Sequence, residues 1–144
     1  MAIVGFSFTK FDAARKSQTK GRINIANNVT VKDVAHTDLF LGTNKQDGLR
    51  FDFVFTSAYD PDVGHITLEG NVLYLDDAKK IKDVLGGWKK SKTVPTDVTE
   101  EVLNQVLGKC NIQALILSKD LNMPPPIPLP KVNVDTGRKV AKGS

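Results

Sequence analysis

A long helix candidate that is apolar on two sides constrains the fold of this chain more than any other feature. It covers residues 97–119, includes the mostly apolar run 112–117, and is followed by five prolines between Pro124 and Pro130. A surface helix normally buries one apolar stripe in its own domain. Because Ile112 and Leu115 lie outside that stripe, we expect the second side to contact another subunit or a bound polypeptide.

The length and composition indicate one domain that folds without covalent cross-links. The chain has 144 residues, 40% of them hydrophobic, and its single cysteine, Cys110, excludes an intramolecular disulfide. We predict one domain over residues 1–132 and a flexible basic tail over residues 133–144. No apolar run approaches the roughly 20 residues that span a bilayer, and no secretion signal opens the sequence. We therefore expect a cytoplasmic protein that does not insert into a membrane.

Alternating apolar residues predict two strands early in the chain. Val4, Phe6 and Phe8 alternate with small or polar residues, which is the period of a strand with one buried face. Within residues 22–34, one parity carries Ile23, Ile25, Val29 and Val31, which favours a single long strand over a tight turn at the consecutive asparagines. Residues 37–48 are polar and irregular, and they predict a loop.

The clearest local pattern is a β-hairpin. Phe51, Phe53 and Phe55 alternate with more polar residues in the first arm. Residues 60–64 supply aspartates, a proline and a glycine for a turn, and the alternation resumes over residues 66–75. The pattern therefore predicts two antiparallel neighbours, each with one buried face.

Two helices follow the predicted strands. Asp76 and Asp77 are suited to cap the first, which we expect to weaken or end at residues 86–87, a pair of glycines. Asp97 has the position of an N-cap for the second helix, with Glu100 three residues later. The predicted fold class is α+β: an antiparallel four-stranded sheet, two C-terminal helices and an extended proline-rich tail.

The segment after Leu121 is predicted to be extended, because its prolines lack backbone donors and fix φ. We expect Met123, Ile127 and Leu129 to pack on the apolar surface of the same domain. Binding of this segment to a proline-recognising partner is the alternative.

Basic residues are concentrated in short clusters, and the net charge is +4. Such clusters can contact phosphates, although solvated loops and helix ends are their commoner explanation. The candidate nucleic-acid-binding residues are Arg15, Lys16, Lys20, Arg22, Lys89, Lys90 and Lys92.

No set of residues predicts catalysis or a metal site. His36 and His65 are the only histidines, and neither has a second histidine or a cysteine at ligand spacing. The paired aspartates occupy a turn and a helix start, and Cys110 lacks a neighbouring activating motif. The sequence therefore predicts a protein that is not an enzyme, with no cofactor, no metal and no small-molecule substrate.

The order of these elements resembles the SecB export-chaperone family. Lys109-Cys110-Asn111 and Leu121-Asn122-Met123-Pro124 look like that family's last helix and the segment after it, and the resemblance covers most of residues 3–132. The proline-rich passage also resembles that of uncharacterised archaeal proteins. The segments that carry the SecB resemblance are residues 22–34, 49–59, 66–75 and 101–130.

The resemblance implies a homo-oligomer, a dimer or tetramer, whose apolar grooves hold unfolded polypeptide. The candidate residues for polypeptide binding or for the oligomer interface are Phe51, Phe53, Phe55, Ile112, Leu115 and Ile116. The family is typically acidic and uses that charge to engage the translocation motor, whereas this chain is basic. The alternative function is a ribosome- or RNA-associated factor that binds through the basic clusters and dimerises through its long helix.

Overall fold

The computed structural model describes residues 2–16 and 21–127 of the chain. All strands pair antiparallel in the order β1-β4-β3-β2. This arrangement confirms the predicted α+β fold of a four-stranded sheet followed by two helices. The elements are β1 (Ala2–Arg15), β2 (Asn24–Leu41), β3 (Asn44–Asp60), β4 (Gly64–Leu75), α1 (Ala78–Ser91) and α2 (Thr96–Asp120).

Both helices cover the same face of the sheet. α1 packs on β2 and β3, whereas α2 packs on β3 and β4. In the two central strands every second side chain is buried beneath the helices, and burial of this apolar area is the main stabilising contribution. The central-strand residues with at most 1% exposure are Leu49, Phe51, Phe53, Phe55, Ser57, Tyr59, Ile66, Leu68, Val72 and Tyr74.

Bulges in the two edge strands decide which of their side chains face the helices. β1 has register shifts between Ile3 and Gly5 and between Phe8 and Lys10, and β2 has one just after Val31. Each shift inserts an extra residue and changes the parity of the strand. The predicted grouping of Val4 with Phe6 and Phe8 is therefore wrong. Val4 is the extra residue of the first bulge, and Ile3 takes its place on the helix-facing side.

The predicted loop over residues 37–48 is also wrong. β2 continues to Leu41, and the chain turns at Gly42, whose φ of 70° favours glycine, into β3. Cross-strand hydrogen bonds and the burial of Leu39, which is 8% exposed and packs over Gly48, hold this polar segment in the sheet. The prediction of one continuous strand across the consecutive asparagines of β2 is confirmed.

The first helix begins as predicted but extends further. The side chain of Asp77 accepts a hydrogen bond from the backbone nitrogen of Lys80 at 2.8 Å, which caps α1. The helix continues through the two glycines at 86–87 to Ser91, so the prediction that it ends there is wrong. Trp88 directly follows these glycines and explains the continuation. Its side chain is buried, and its indole N–H donates to Asp33 of β2 at 3.2 Å.

The second helix begins one residue earlier than its predicted cap. Its N-cap is Pro95, without a side-chain cap hydrogen bond, and Asp97 lies inside the first turn. A hydrogen bond from Lys80 of α1, at 3.3 Å, lowers the pKa of the Asp97 carboxyl. Neither helix in the described residues is long and apolar enough to cross a membrane.

The chain after α2 returns to the sheet in an extended form. Met123 and Pro126 are buried and Ile127 is partly buried, so the predicted packing of Met123 on its own domain is confirmed. Leu129, the domain boundary predicted at residue 132 and the tail over residues 133–144 lie outside the described residues.

Candidate polypeptide-binding surface

The three phenylalanines of β3 belong to the core of the domain. Phe51 and Phe53 are each 1% exposed, and Phe55 is fully buried beneath the helices. A side chain in that position cannot contact a bound chain unless the helices first separate from the sheet. The prediction that these three residues line an open groove is therefore wrong for the folded chain.

A different set of aromatic side chains reaches the surface on the same face. Phe6, Phe8 and Phe11 of β1 pair with Val72, Gly70 and Leu68 of β4, all of them helix-facing positions. Phe6 and Phe8 are partly buried, whereas Phe11 is 47% exposed. We call these three residues of β1 the aromatic strip.

The rings of the aromatic strip form a continuous path from the core to the surface. Phe6 stacks on Phe53 with ring centroids 5.3 Å apart, Phe8 meets Phe6 edge-on at 5.0 Å, and Phe11 meets Phe8 at 5.0 Å. Offset and edge-to-face pairs at such distances attract one another beyond simple area burial. The inner end of the strip is therefore held in place, while its outer end remains accessible.

The position of β1 explains why these rings stay open. The helices pack on β2, β3 and β4, so β1 has the least helix cover of the four strands. β1 is also an edge strand, which pairs only with β4 in the described sheet. Apolar rings beside an edge strand provide both side-chain contacts and backbone groups to an extended polypeptide.

Sequence periodicity does not find the aromatic strip, because Phe8 and Phe11 are three residues apart and a regular strand would place them on opposite faces. The extra residue Thr9 restores them to one face. The available signal is Gly70, since glycine inside a strand often marks a bulge or a close approach. A Cβ at Gly70 would lie 2.8 Å from the ring of Phe53, so the missing side chain makes room for the rings.

The outer side of α2 is a second exposed apolar surface, as predicted from the two-sided helix. Val98, Val102, Val106, Cys110 and Ala114 form the buried stripe, one residue per turn. On the other side Ile112 is 61% exposed and Ile116 is 45% exposed. Leu115, which lies between them in the sequence, is partly buried. We call Ile112, Leu115 and Ile116 the outer helix face.

The predicted basic residues do not lie on one surface. Arg15 ends β1, at one edge of the sheet. Lys89 and Lys90 lie in the last turn of α1, next to Trp88, which is hydrogen-bonded to Asp33 of β2 at the opposite edge. The described clusters therefore lie towards opposite edges of the sheet.

Two of the basic side chains have partners inside the protein. Lys16 forms an ion pair with Asp62 at 3.3 Å. The ammonium of Lys92 lies 5.1 Å from the centre of the Trp88 ring in the last turn of α1. Arg22 is exposed just before β2. Lys20 lies outside the described residues.

One group of possible metal ligands is created by the cross-strand register. His36 and Asp38 lie two residues apart on β2, opposite Asp47 of β3, and their ligand atoms are within 4.8 Å of one another. All three are exposed, His36 Nε2 is 2.9 Å from Asp47, and Lys45 pairs with Asp38 at 3.5 Å. An exposed hydrogen bond of His36 with Asp47 and the Lys45–Asp38 ion pair account for this arrangement.

Two further features of the described residues, the thiol of Cys110 and a concavity in the sheet, do not form an activated catalytic group. Cys110 is buried in α2, and that burial raises the pKa of its thiol to about 12, which disfavours the nucleophilic thiolate. A concavity of about 400 Å³ lies on the sheet face away from the helices. Four of its charged side chains are paired with one another, Lys32 with Glu69 at 3.2 Å and Arg50 with Asp52 at 3.0 Å, and a fifth, Asp33, accepts from Trp88.

No protein-family model and no curated protein matches the chain. Among solved structures, it is similar to the SecB-like chaperone Rv1957 of Mycobacterium tuberculosis, determined in complex with a ChAD peptide from the Rv1956 HigA1 antitoxin. The two share 13% sequence identity with a TM-score of 0.53, over 93% of this chain and 91% of the other. At that identity the likeness concerns the fold alone, and the predicted archaeal resemblance stays a prediction. The chain thus has a SecB-like fold.

Proposed function

We propose that this chain is a non-catalytic, chaperone-like protein that holds unfolded polypeptide on the aromatic strip. The observation that carries the proposal is the position of Phe6, Phe8 and Phe11 on the strand with the least helix cover. Exposed aromatic rings attract the apolar side chains that an unfolded chain presents. The SecB-like fold supports the proposal, since the chaperone of similar fold was solved with a bound peptide.

The binding mode follows from the edge position of β1. An extended client segment would lie along the outer side of this strand, where its backbone can pair with β1. Every second client side chain would then contact the face that carries Phe8 and Phe11. Backbone pairing is independent of sequence, so this mode suits clients that share only an extended and apolar character.

We also propose that the outer helix face joins copies of the chain into a dimer or tetramer. Ile112 and Ile116 expose apolar area that a monomer would leave in water. Replacing Leu115 or Ile116 with aspartate should dissociate the oligomer, because an unpaired carboxylate in an apolar interface costs several kcal/mol. Sedimentation measures this directly, and a wild-type chain that is monomeric at high micromolar concentration would contradict the proposal.

The decisive experiment is suppression of aggregation of an unfolded test protein. We expect the wild-type chain to suppress it about equally at 0.05 M and 0.5 M salt, roughly the range over which exposed charges become screened. Phe11→Asp should weaken suppression. Phe40→Asp is the matched control, because Phe40 is 70% exposed but lies near the β2–β3 turn, away from the aromatic strip. Equal loss in the two variants would argue against the aromatic strip.

The ribosome- or RNA-associated alternative is tested by the same protein preparations. Charge reversal at Lys89, Lys90 and Lys92 should abolish ribosome co-sedimentation if the basic clusters carry the function. An absence of aggregation suppression, together with salt-sensitive ribosome binding, would replace the chaperone proposal with this one.

A further inference from the structure

The chain beyond α2 crosses the end of the helix-facing side of the sheet. The backbone nitrogen of Met123 donates to Ser118 at 2.8 Å, which turns the chain back over the sheet. The sulfur of Met123 then lies where a Cβ of Gly64 would be only 2.7 Å away. We call Met123–Ile127 the proline strap.

Two side chains of the sheet hold the proline strap by its carbonyl groups. The hydroxyl of Tyr59 in β3 donates to the carbonyl oxygen of Pro124 at 2.6 Å. The side-chain nitrogen of Asn27 in β2 donates to the carbonyl oxygen of Pro126 at 2.8 Å. Since proline has no N–H, the three consecutive prolines of the strap offer only carbonyl acceptors, and both sheet groups are donors.

The Asn27 donor is oriented by a residue of the sheet, and the Tyr59 donor is buried. The hydroxyl of Ser57, which is fully buried, donates to the side-chain oxygen of Asn27 at 2.6 Å and so turns the amide nitrogen towards the strap. Tyr59 is 1% exposed, and burial raises its pKa to about 12, so the hydroxyl remains protonated and able to donate. An amide donor held by its neighbour in the sheet is preorganised for an extended ligand.

We propose that Tyr59 and Asn27 form a recognition site for extended, proline-containing peptide segments, which the chain's own proline strap occupies until an incoming segment displaces it. An aromatic side chain beside hydrogen-bond donors is how proline-rich segments are recognised elsewhere. The inference rests on the proposed function, because the incoming segment would belong to the same unfolded polypeptide that contacts the aromatic strip.

Competition by the strap sets the expected size of the effect. A tethered ligand has an effective concentration on the order of millimolar, so a free peptide meets a site that is largely occupied. Releasing the strap raises the fraction of open sites and tightens apparent binding by the same factor. Pro126 of the strap is buried, so replacing it should release the strap without altering the two donors. Its neighbour Pro125 is exposed, so replacing it should leave the strap in place.

The test measures binding of a fluorescein-labelled peptide with the sequence of residues 121–127. We expect Pro126→Glu to bind the peptide about tenfold more tightly than the wild-type chain, because the strap no longer occupies the site in most molecules. Pro125→Glu is the matched control and should bind like the wild type. Adding Asn27→Ala to Pro126→Glu should remove the gain, because one of the two donors is then missing.

Amide hydrogen exchange at residue 123, whose backbone N–H donates to Ser118, verifies that the strap is released, and Met123→Glu is added to Pro126→Glu to ensure release. Released variants that bind the peptide no better than Pro125→Glu would overturn the inference. If the wild type suppresses aggregation while the released variants do not bind the peptide, the inference fails and the proposed function stands. If the released variants bind the peptide but no form suppresses aggregation, the site stands and the proposed function fails.

Discussion

Two rows of phenylalanines flank β4 from opposite sides, and they differ in solvent exposure. The row on β3 is at most 1% exposed, whereas the row on β1 changes from partly buried to 47% exposed at its end. Both rows face the helices, and rings of the two rows contact each other directly. The rows are Phe51, Phe53 and Phe55 on β3 and Phe6, Phe8 and Phe11 on β1.

The comparison shows that helix placement, and not residue type, separates core from surface in this sheet. α1 and α2 both pack on β3, whereas β1 lies beyond them. The stabilisation that a side chain contributes depends on the apolar area removed from water, so identical residues contribute unequally. Apolar rings left open on β1 add little to stability and remain available for binding.

The largest expected effect is on the buried row. Phe53→Ala should lower the free energy of unfolding by about 3–5 kcal/mol, because it removes a fully buried ring and leaves a cavity. Phe53 also contacts Phe6 and Phe8, so part of the loss should propagate to the aromatic strip. Urea unfolding measures the change, and a loss no larger than that of Phe11→Ala would remove the distinction between the two rows.

The next effect is at the residue between the rows. Gly70 pairs with Phe8 on one side and with Phe53 on the other, and a Cβ there would press on the Ser7 carbonyl and on the Phe53 ring. Gly70→Ala should therefore cost about 1–3 kcal/mol through overpacking.

Gly86→Ala is the matched control for this substitution. A Cβ at Gly86 meets nothing within 4 Å in the exposed part of α1, so alanine there should stabilise the helix by about 0.5–1 kcal/mol. The same replacement should thus have opposite signs at the two positions in thermal unfolding. Destabilisation of equal size at both glycines would show that close packing at Gly70 is not the cause.

The central hairpin and the helices could be predicted from local patterns. Strict alternation over β3 and β4 reports one buried face, and the spacing of Val98, Val102 and Val106 reports a helix stripe. These signals are local because each element buries its own periodic face. The exposure of Ile112 on the second side of α2 followed from the same periodicity, whereas Leu115, placed there by the same argument, is partly buried.

The edge strands could not be predicted in the same way, because their bulges break the period. A parity count groups Val4 with Phe6 and Phe8 and separates Phe11 from them, whereas in the structure Val4 is an extra bulge residue and Phe11 shares their face. The extent of α1 depended on a distant contact between Trp88 and Asp33, which no local pattern contains. The aromatic strip could therefore be identified only from the register of β1 against β4.

The smallest expected change in stability belongs to the residue expected to matter most for binding. Phe11 is 47% exposed and makes its aromatic contact with Phe8 alone, so Phe11→Ala should cost about 1 kcal/mol or less. The same substitution should reduce aggregation suppression, because it removes the accessible end of the aromatic strip. Parallel urea unfolding and light-scattering measurements on one preparation separate the two properties. A large loss of stability would place Phe11 in the core with Phe53, whereas unchanged suppression would assign the client contact to another surface. A small change in stability with a clear loss of suppression is the result expected if the two rows differ in function because they differ in helix cover.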